Sequence, residues 1–438
     1  MIPPVPAFEL SEWETRFFPG LSLSVQDRQL AKSFKGGDTG RLDIDELRDG
    51  VRIRARSWVG VIHFQNFEVR ILPKLAGKNA GLVDMLTLTS GLDALRRNRA
   101  QRFLDTVESV HLLDLIALLF AEACARIVER GLLHDYVERE SELPVLRGRL
   151  LVSQQVRQYY GRVDRLFCRY DDHLTDVVEN QILAAALAIC RSPVRHPAVR
   201  LQIRRLHTVF AAACTVEKFI DWQSARLEIQ YHRMNEHYRE AHELAWLLFE
   251  SLGIENLFEA GQTRSFAFLL DMNRLFENFV TRFVNHALRE RPYLIHAQRR
   301  DRSIIWDLMR KRPYTHVVPD LLIESDKGRC LTVDAKYKLY DDKRLSTSDI
   351  YQSFFYAYAY KSASEQRPAA LLLYPSSGQR ERPNYLQIRD QGRSAKANLQ
   401  ALSIFIPQAI NEIKTNTTGP TSKLLLNAVE QFIEDKIS

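Results

Sequence analysis

Two acids and a lysine stand where phosphodiester hydrolysis would use them. Asp320 follows Pro319, and Asp334 precedes Lys336 by two positions. Residues 317–323 form a short, apolar, β-branched run, which predicts a strand. Residues 329–336 predict a second strand. Between them Ser325-Asp326-Lys327-Gly328 is a turn signal, with Gly328 free to take a positive φ. A hairpin symmetric about Lys327 sets Asp320 directly opposite Asp334, about 5 Å away on one face. Period-two alternation adds Lys336 and Lys338 to that face. A loop one residue different staggers the acids yet leaves both within reach of one ion.

Carboxylates this close repel unless a cation neutralises them. Mg²⁺ suits the set, being a hard octahedral ion that takes one or two carboxylates plus waters. Such an ion activates water and stabilises charge on a scissile phosphate. Lys336 beside that phosphate would steady the attacking water or the pentavalent transition state. The competing reading is a hairpin with a solvated Asp–Lys pair, since an isolated D-x-K is common. The preceding Pro-Asp on a pairable strand brings the chemical reading level with it.

Two flanking helices frame the acids. Residues 271–289 carry Met272, Leu275, Phe276, Phe279, Val280, Phe283, Val284 and Ala287 at helical spacing, which predicts one buried stripe. Glu277 sits at its edge, as a third oxygen ligand or as a plain surface residue. Residues 346–361 predict a helix capped by Ser346 or Ser348. Gln352 and Tyr356 lie four apart on one of its faces, able to bond a phosphate or a catalytic carboxylate. Phe354, Phe355 and Tyr358 are expected in the core.

Helix, acid-bearing hairpin, helix with Gln and Tyr, then a strand at 369–374: this order resembles the PD-(D/E)xK nuclease superfamily, a mixed sheet flanked by helices. The resemblance matches Glu277 to the acid of the first helix, Asp320 to the acid after proline, and Asp334 and Lys336 to the D-x-K. Gln352 and Tyr356 match the Q-x-x-x-Y of the RecB-like branch. It implies catalytic roles for Asp320, Asp334, Lys336, Glu277, Gln352 and Tyr356. It implies metal ligation by Asp320, Asp334, Glu277 and Ala335, with Mg²⁺ as cofactor and Mn²⁺ as a substitute.

From about residue 45 onward the chain is similar to the McrC family, the nuclease subunit of McrBC modification-dependent (5-methylcytosine) restriction systems. The matching residues include Trp58-Val59-Gly60-Val61-Ile62, Ile71-Leu72-Pro73-Lys74, Leu146-Arg147-Gly148-Arg149-Leu150, Cys168-Arg169-Tyr170-Asp171 and Asn180-Gln181-Ile182-Leu183. Leu275-Phe276-Glu277, Val333-Asp334-Ala335-Lys336-Tyr337-Lys338 and Asp349-Ile350-Tyr351-Gln352 complete the match. The resemblance implies a McrB-like AAA+ GTPase ring as partner, which the N-terminal part enters and stimulates. It implies double-stranded, methylated DNA as substrate, cut by the C-terminal part. Residues 1–44 match no family element.

Composition agrees. A length of 438 residues predicts two or three domains with ample core. The surplus of seven positive charges suits a polyanion, though it is modest for this length. Five scattered cysteines lack C-x-x-C or zinc spacing and read as reduced thiols in a cytoplasm. The opening Met1-Ile2-Pro3-Pro4 is no secretory signal, and the most apolar stretch, 112–125, is too short for a membrane and holds Asp114 and Glu122. No G-x-x-x-x-G-K-[ST] occurs, so no nucleotide is expected on this chain.

The expected architecture is α+β and multidomain. Residues 1–80 form a small β-rich partner-docking module, with Val51, Ile53 and Ala55 facing one way and Arg52, Arg54 and Arg56 the other. A hairpin of 59–64 and 67–72 turns at Gln65-Asn66. Residues 81–261 are mainly helical, at 104–130, 176–191 and 240–252, with a strand-containing insert at 143–169. Residues 262–438 form the PD-(D/E)xK domain, with later strands at 385–389 and 403–406, a loop at 414–420 and a closing helix at 422–437. Arg299, Arg300, Arg302, Arg310, Lys311 and Arg312 precede the acid hairpin and read either as phosphate contacts or as a solvated face. Lys74 reads as a partner contact or an ordinary surface lysine. His232, His237 and His242, spaced by five, do not share a helix face and are not expected to bind metal. Two other functional readings stand beside the nuclease subunit: a stand-alone RecB-like nuclease and a non-catalytic activator of a partner NTPase.

Overall fold

The computed structural model of the chain describes residues 5–35, 40–74, 78–89, 112–162, 164–215, 222–252, 265–338, 340, 344–361, 367–376, 378 and 384–433. It is a mixed α and β protein. Contacts gather it into two compact units, one joining 1–106 with 269–438 and the other spanning 107–268. The N-terminal module is thus not a separate block, because it bonds the C-terminal part directly: Met272 N donates to Ser57 O at 2.9 Å.

In the first unit, residues unaccounted for by sequence complete the N-terminal sheets. Ala7–Ser11 pairs in parallel with Glu68–Leu72, which pairs antiparallel with Trp58–His63. Thr15–Pro19 and Leu42–Leu47 flank Gly50–Ala55 on its two edges. Val51, Ile53 and Ala55 are buried while Arg52 and Arg54 are exposed, as the alternation predicts. The hairpin turns at Gln65-Asn66, with Phe64 N donating to Phe67 O at 2.9 Å.

The C-terminal part opens with helix Met272–Ala287, whose predicted apolar stripe is wholly buried. Asp271 caps it, accepting from Asn273 N at 2.9 Å. A six-stranded sheet follows in the order Tyr293–Ala297, Leu321–Ser325, Cys330–Ala335, Ala369–Pro375, Ala395–Ile404, Asn384–Arg389. The Cys330–Ala335, Ala369–Pro375 and Ala395–Ile404 strands are parallel, and the other pairings are antiparallel. Helix Thr347–Ala359 lies in the crossover between the first two of these parallel strands. Every residue of Ala369–Pro375 is buried, as expected of a strand covered on both faces.

Several boundaries differ from expectation. The strand predicted at 317–323 is broken: Arg312–Val317 pairs with Asp301–Asp307, and the sheet strand starts at Leu321. Pro319 has no N–H to give a ladder, so the break falls there. The strand expected at 403–406 is the end of Ala395–Ile404, and the expected loop is shortened by helices Ile406–Thr415 and Pro420–Ile433. Of the three aromatics expected in the core, Phe354 is buried, whereas Phe355 and Tyr358 are exposed because they lie on the helix face turned from the sheet.

The second unit packs helices Leu112–Arg130, Val178–Cys190, Pro197–Ala213 and Arg239–Leu252. The predicted residues 104–111 lie outside the described residues. A polar knot inside explains the Asn-Gln-Ile-Leu motif: Asn180 Nδ2 donates to Leu133 O and Thr175 O, and its Oδ1 accepts from Tyr238. The insert is a sheet of Asp135–Leu143, Leu166–Leu174 and Arg149–Leu150. Gly148 takes φ +65, and a Cβ there would stand 2.4 Å from Arg169 O. The Leu-Arg-Gly-Arg-Leu motif is therefore a close backbone approach that only glycine allows. His242 is buried between Tyr231 and the carbonyl of Glu179, and burial pushes it down to about 4, so it packs neutral and apart from His232. No helix among the described residues is long and apolar enough to cross a membrane.

Candidate active site

The acid hairpin has the predicted register. Leu321 pairs with Val333 and Ile323 with Leu331, which centres the turn on Lys327. Gly328 takes the positive φ the turn needs, at +70. Ladder pairing stops at Leu321, so Asp320 lies one residue beyond it, in a bend. Its side chain turns back across the hairpin, and Ala335 N donates to Asp320 Oδ2 at 2.7 Å. Residue 335 thus fixes one acid through its N–H, leaving its carbonyl on the same strand end.

Asp334 is buried at 2 % exposure. Neither of its oxygens receives a well-directed hydrogen bond, although the Lys336 ammonium stands 3.0 Å from Oδ2 as an ion pair. Burial, with Asp320 nearby, drives its carboxyl above the ordinary range against the pull of Lys336. Glu277 is pushed up to about 7, chiefly by desolvation and then by Asp320 and Asp271. Lys336 stays charged: burial opposes the charge, and the field of Asp334 overcomes it.

Lys336 is held from a second side. Its Nζ donates to Gln352 Oε1 at 3.0 Å, and Gln352 Nε2 donates to Tyr356 Oη at 3.0 Å. Tyr356 donates in turn to Val318 O at 3.1 Å, beside Pro319. The helix that presents this pair is capped by Ser346, whose side chain accepts from Asp349 N. Asp320, Asp334, Lys336, Gln352 and Tyr356 therefore converge as predicted, and Glu277 joins them by its electrostatic influence.

Lys338 does not. It bonds Asp349 at 2.8 Å, because the chain leaves the strand after Ala335 and alternation lapses. Tyr340 also donates to Asp349. Burial alone would raise the Asp349 carboxyl, but the bonds from Lys338, Tyr340 and Ser346 together hold it below its usual value. Asp349 anchors the helix start to the segment following the acids, a role its sequence position did not reveal. Glu12, 1 % exposed, is the other missed residue.

The donor chemistry suits a hard cation. A buried carboxylate with both oxygens short of donors, next to a second carboxylate, is what one or two metal–oxygen bonds would satisfy. No group of three or more His, Cys, Asp or Glu residues stands at metal-holding distance among the described residues. A cation bound there would draw two oxygens from the pair Asp320–Asp334 and the rest from carbonyl and water.

A family model described as McrBC 5-methylcytosine restriction system component matches residues 53–375. The chain belongs to this McrBC family. No curated protein matches this McrBC component significantly in sequence. Its fold is similar to a chain of a Thermococcus gammatolerans assembly of McrB AAA+ hexamers with bound McrC: TM-score 0.57 at 19% identity, covering 94% of this chain and 99% of that one. A chain of the Thermococcus gammatolerans McrBC complex is also similar, with TM-score 0.48 and 22% identity over 64% of this chain and 88% of that one. The family match spans the Ile-Leu-Pro-Lys element and all six candidate site residues of the McrBC component.

Proposed function

We propose that this McrBC component is the McrC-type nuclease subunit, cutting DNA phosphodiester bonds at Asp320, Asp334 and Lys336 on a PD-(D/E)xK-type sheet. One observation carries the reading. Two acids at the end of paired strands meet a lysine, and the deeper acid is buried with neither oxygen in a well-directed hydrogen bond, its charge faced by the Lys336 ammonium 3.0 Å from Oδ2. A purely structural aspartate would be costly there.

Mg²⁺, or Mn²⁺ in its place, would be held by Asp320 and Asp334, with the Ala335 carbonyl and water as further oxygens; Glu277, expected as a third ligand, does not form a metal-holding group with these two acids. When bound it supplies Lewis acidity at the phosphate and a more acidic water. The chain's own residues do the positioning. Gln352 and Asp334 hold the Lys336 ammonium from two sides, so it meets an incoming phosphate or the attacking water already oriented. Tyr356 ties that lysine to the backbone beside Pro319, so lysine and acid move as one. Glu277, with its raised pKa, is suited to take or return a proton at the edge of the site.

The partner would be a McrB-type AAA+ GTPase ring that delivers methylated duplex DNA. Family membership and the likeness to a chain from an assembly of McrB with McrC support this. The test is cleavage of methylated plasmid with partner, GTP and Mg²⁺. Asp334→Ala and Lys336→Ala should abolish cutting while stimulation of the partner's GTPase survives. Normal cutting by Asp334→Ala refutes the site. Efficient cutting by the chain alone refutes the subunit role and favours a stand-alone nuclease.

A further inference from the structure

A separate two-stranded ribbon, Asp301–Asp307 with Arg312–Val317, stands just upstream of Asp320. Among the described residues it joins no larger sheet. An isolated ribbon is marginal in water and normally hides its apolar side. This one does the opposite. Leu308 and Met309 at its turn are 81% and 92% exposed, and Trp306 and Tyr314 are exposed along its length. Large exposed apolar groups on a projecting ribbon mark a binding surface.

Charge identifies the partner. Residues 299–312 hold six basic and two acidic side chains, a surplus of four where the whole chain has seven. Both acids are engaged locally, Asp301 also by the Ser303 hydroxyl and Asp307 also by an exposed ion pair to Arg310 at 3.9 Å. Asp301 accepts from Ser303 N, and Asp307 Oδ1 accepts from Met309 N and Arg310 N at 3.0 Å each. The second pair is an Asx turn that, with Lys311 at φ +51, fixes the tip that presents Leu308 and Met309. The surface is thus basic, apolar at its end and preorganised.

The ribbon is tied to the acid site. Gln298 N donates to Asp320 O at 2.9 Å, at the entry to the first ribbon strand. Tyr360 donates to Val317 O at 3.4 Å, where the second strand ends. Strands of this length span about 20 Å, roughly half a turn of duplex.

We propose that this ribbon is a duplex-DNA arm: its basic residues hold phosphates beside the scissile bond, and Leu308–Met309 enters the groove as an apolar wedge. The inference rests on the nuclease reading for the location of the cut. Basic side chains with an inserted apolar tip are a known way to grip and locally unstack a duplex.

The test is binding of the full chain to a fluorescein-labelled 30-base-pair duplex across a salt series, alongside thermal melting to confirm folding. All four substituted positions are exposed turn residues. Arg310→Glu with Lys311→Glu should weaken binding at least tenfold and lower the salt slope by about two. Leu308→Ser with Met309→Ser should weaken it about threefold to tenfold with the slope unchanged, and should lose any 2-aminopurine signal of unstacking. Wild-type affinity in both variants overturns the proposal, as does an absence of duplex binding by the wild-type chain. So do variants that bind duplex normally but no longer stimulate the partner GTPase, which would make the ribbon a protein-docking element. If both ribbon variants bind as wild type while Asp334→Ala ceases to cut, the arm falls and the nuclease stands. If the arm grips duplex but the wild-type chain never cuts with partner, GTP and divalent ion, the nuclease falls and the arm stands.

Discussion

The hydroxyl of Tyr337, the residue after Lys336, donates to Glu12 Oε2 at 3.1 Å, across 325 positions of sequence. The same oxygen accepts from Lys74 N at 2.7 Å, at the end of the Ile-Leu-Pro-Lys element. Trp13 packs on the Tyr337 ring at 5.5 Å. One buried carboxylate thus joins the N-terminal module to the strand end that leads into Lys336. Lys74 and Tyr337 are bridged by a single side chain.

Glu12 makes that joint pH-dependent. Desolvation pushes it up to about 7 from 4.5, against the bonds from Lys74 and Tyr337. A folded pKa above the unfolded value gives stability that is complete below pH 4.5 and lost as pH rises through 7. Wild type should therefore lose up to about 3 kcal/mol relative to Glu12→Gln between pH 5 and 8. Denaturant unfolding at several pH values measures this, and parallel curves for the two proteins would contradict it.

Divalent metal should show itself without catalysis. Mg²⁺ at about a hundred times its Kd adds about 2.7 kcal/mol to the folded state, which raises Tm by several degrees. Asp334→Asn should lose that response. Thermal scans with and without Mg²⁺ test both, and a shift of equal size in Asp334→Asn removes this residue from the metal's shell.

Gln352 and Tyr356 should differ in weight. Gln352→Ala frees the Lys336 ammonium on one side and should slow single-turnover cleavage about tenfold to a hundredfold. Tyr356→Phe leaves the Lys336–Gln352 bond and should cost less than tenfold, a rough bound for a lost outer bond. Stimulation of the partner GTPase should be unchanged in each. Equal rates for Gln352→Ala and wild type would mean the lysine needs no such hold.

Gly148→Ala should destabilise the second unit by roughly 1–3 kcal/mol, since φ +65 is strained for alanine and the Cβ would stand 2.4 Å from Arg169 O. Chemical denaturation followed by circular dichroism reads this directly. An unchanged midpoint would show that the loop relaxes freely.

Much of the site was legible because its parts are local. The turn at Ser325–Gly328 sets the register, and register alone brings the acids to one end of the hairpin. Helix periodicity buried the stripe of Met272–Ala287 and put Gln352 and Tyr356 on one face. Each of these needs only spacing and backbone geometry. Where a period ends, the reading failed: Lys338 left the face of Asp334 once the strand stopped at Ala335, and Phe355 and Tyr358 sat on a half-exposed helix face.

Sequence by itself determined the acids, the lysine, their register and the helices beside them, because strand and helix periods act over a few residues. Tertiary structure alone decided how deeply Asp334 is buried against the Lys336 ammonium, where Asp349 points and that Glu12 reaches Tyr337. Those facts depend on contacts between segments far apart in the chain and on the desolvation they impose. No local period encodes either.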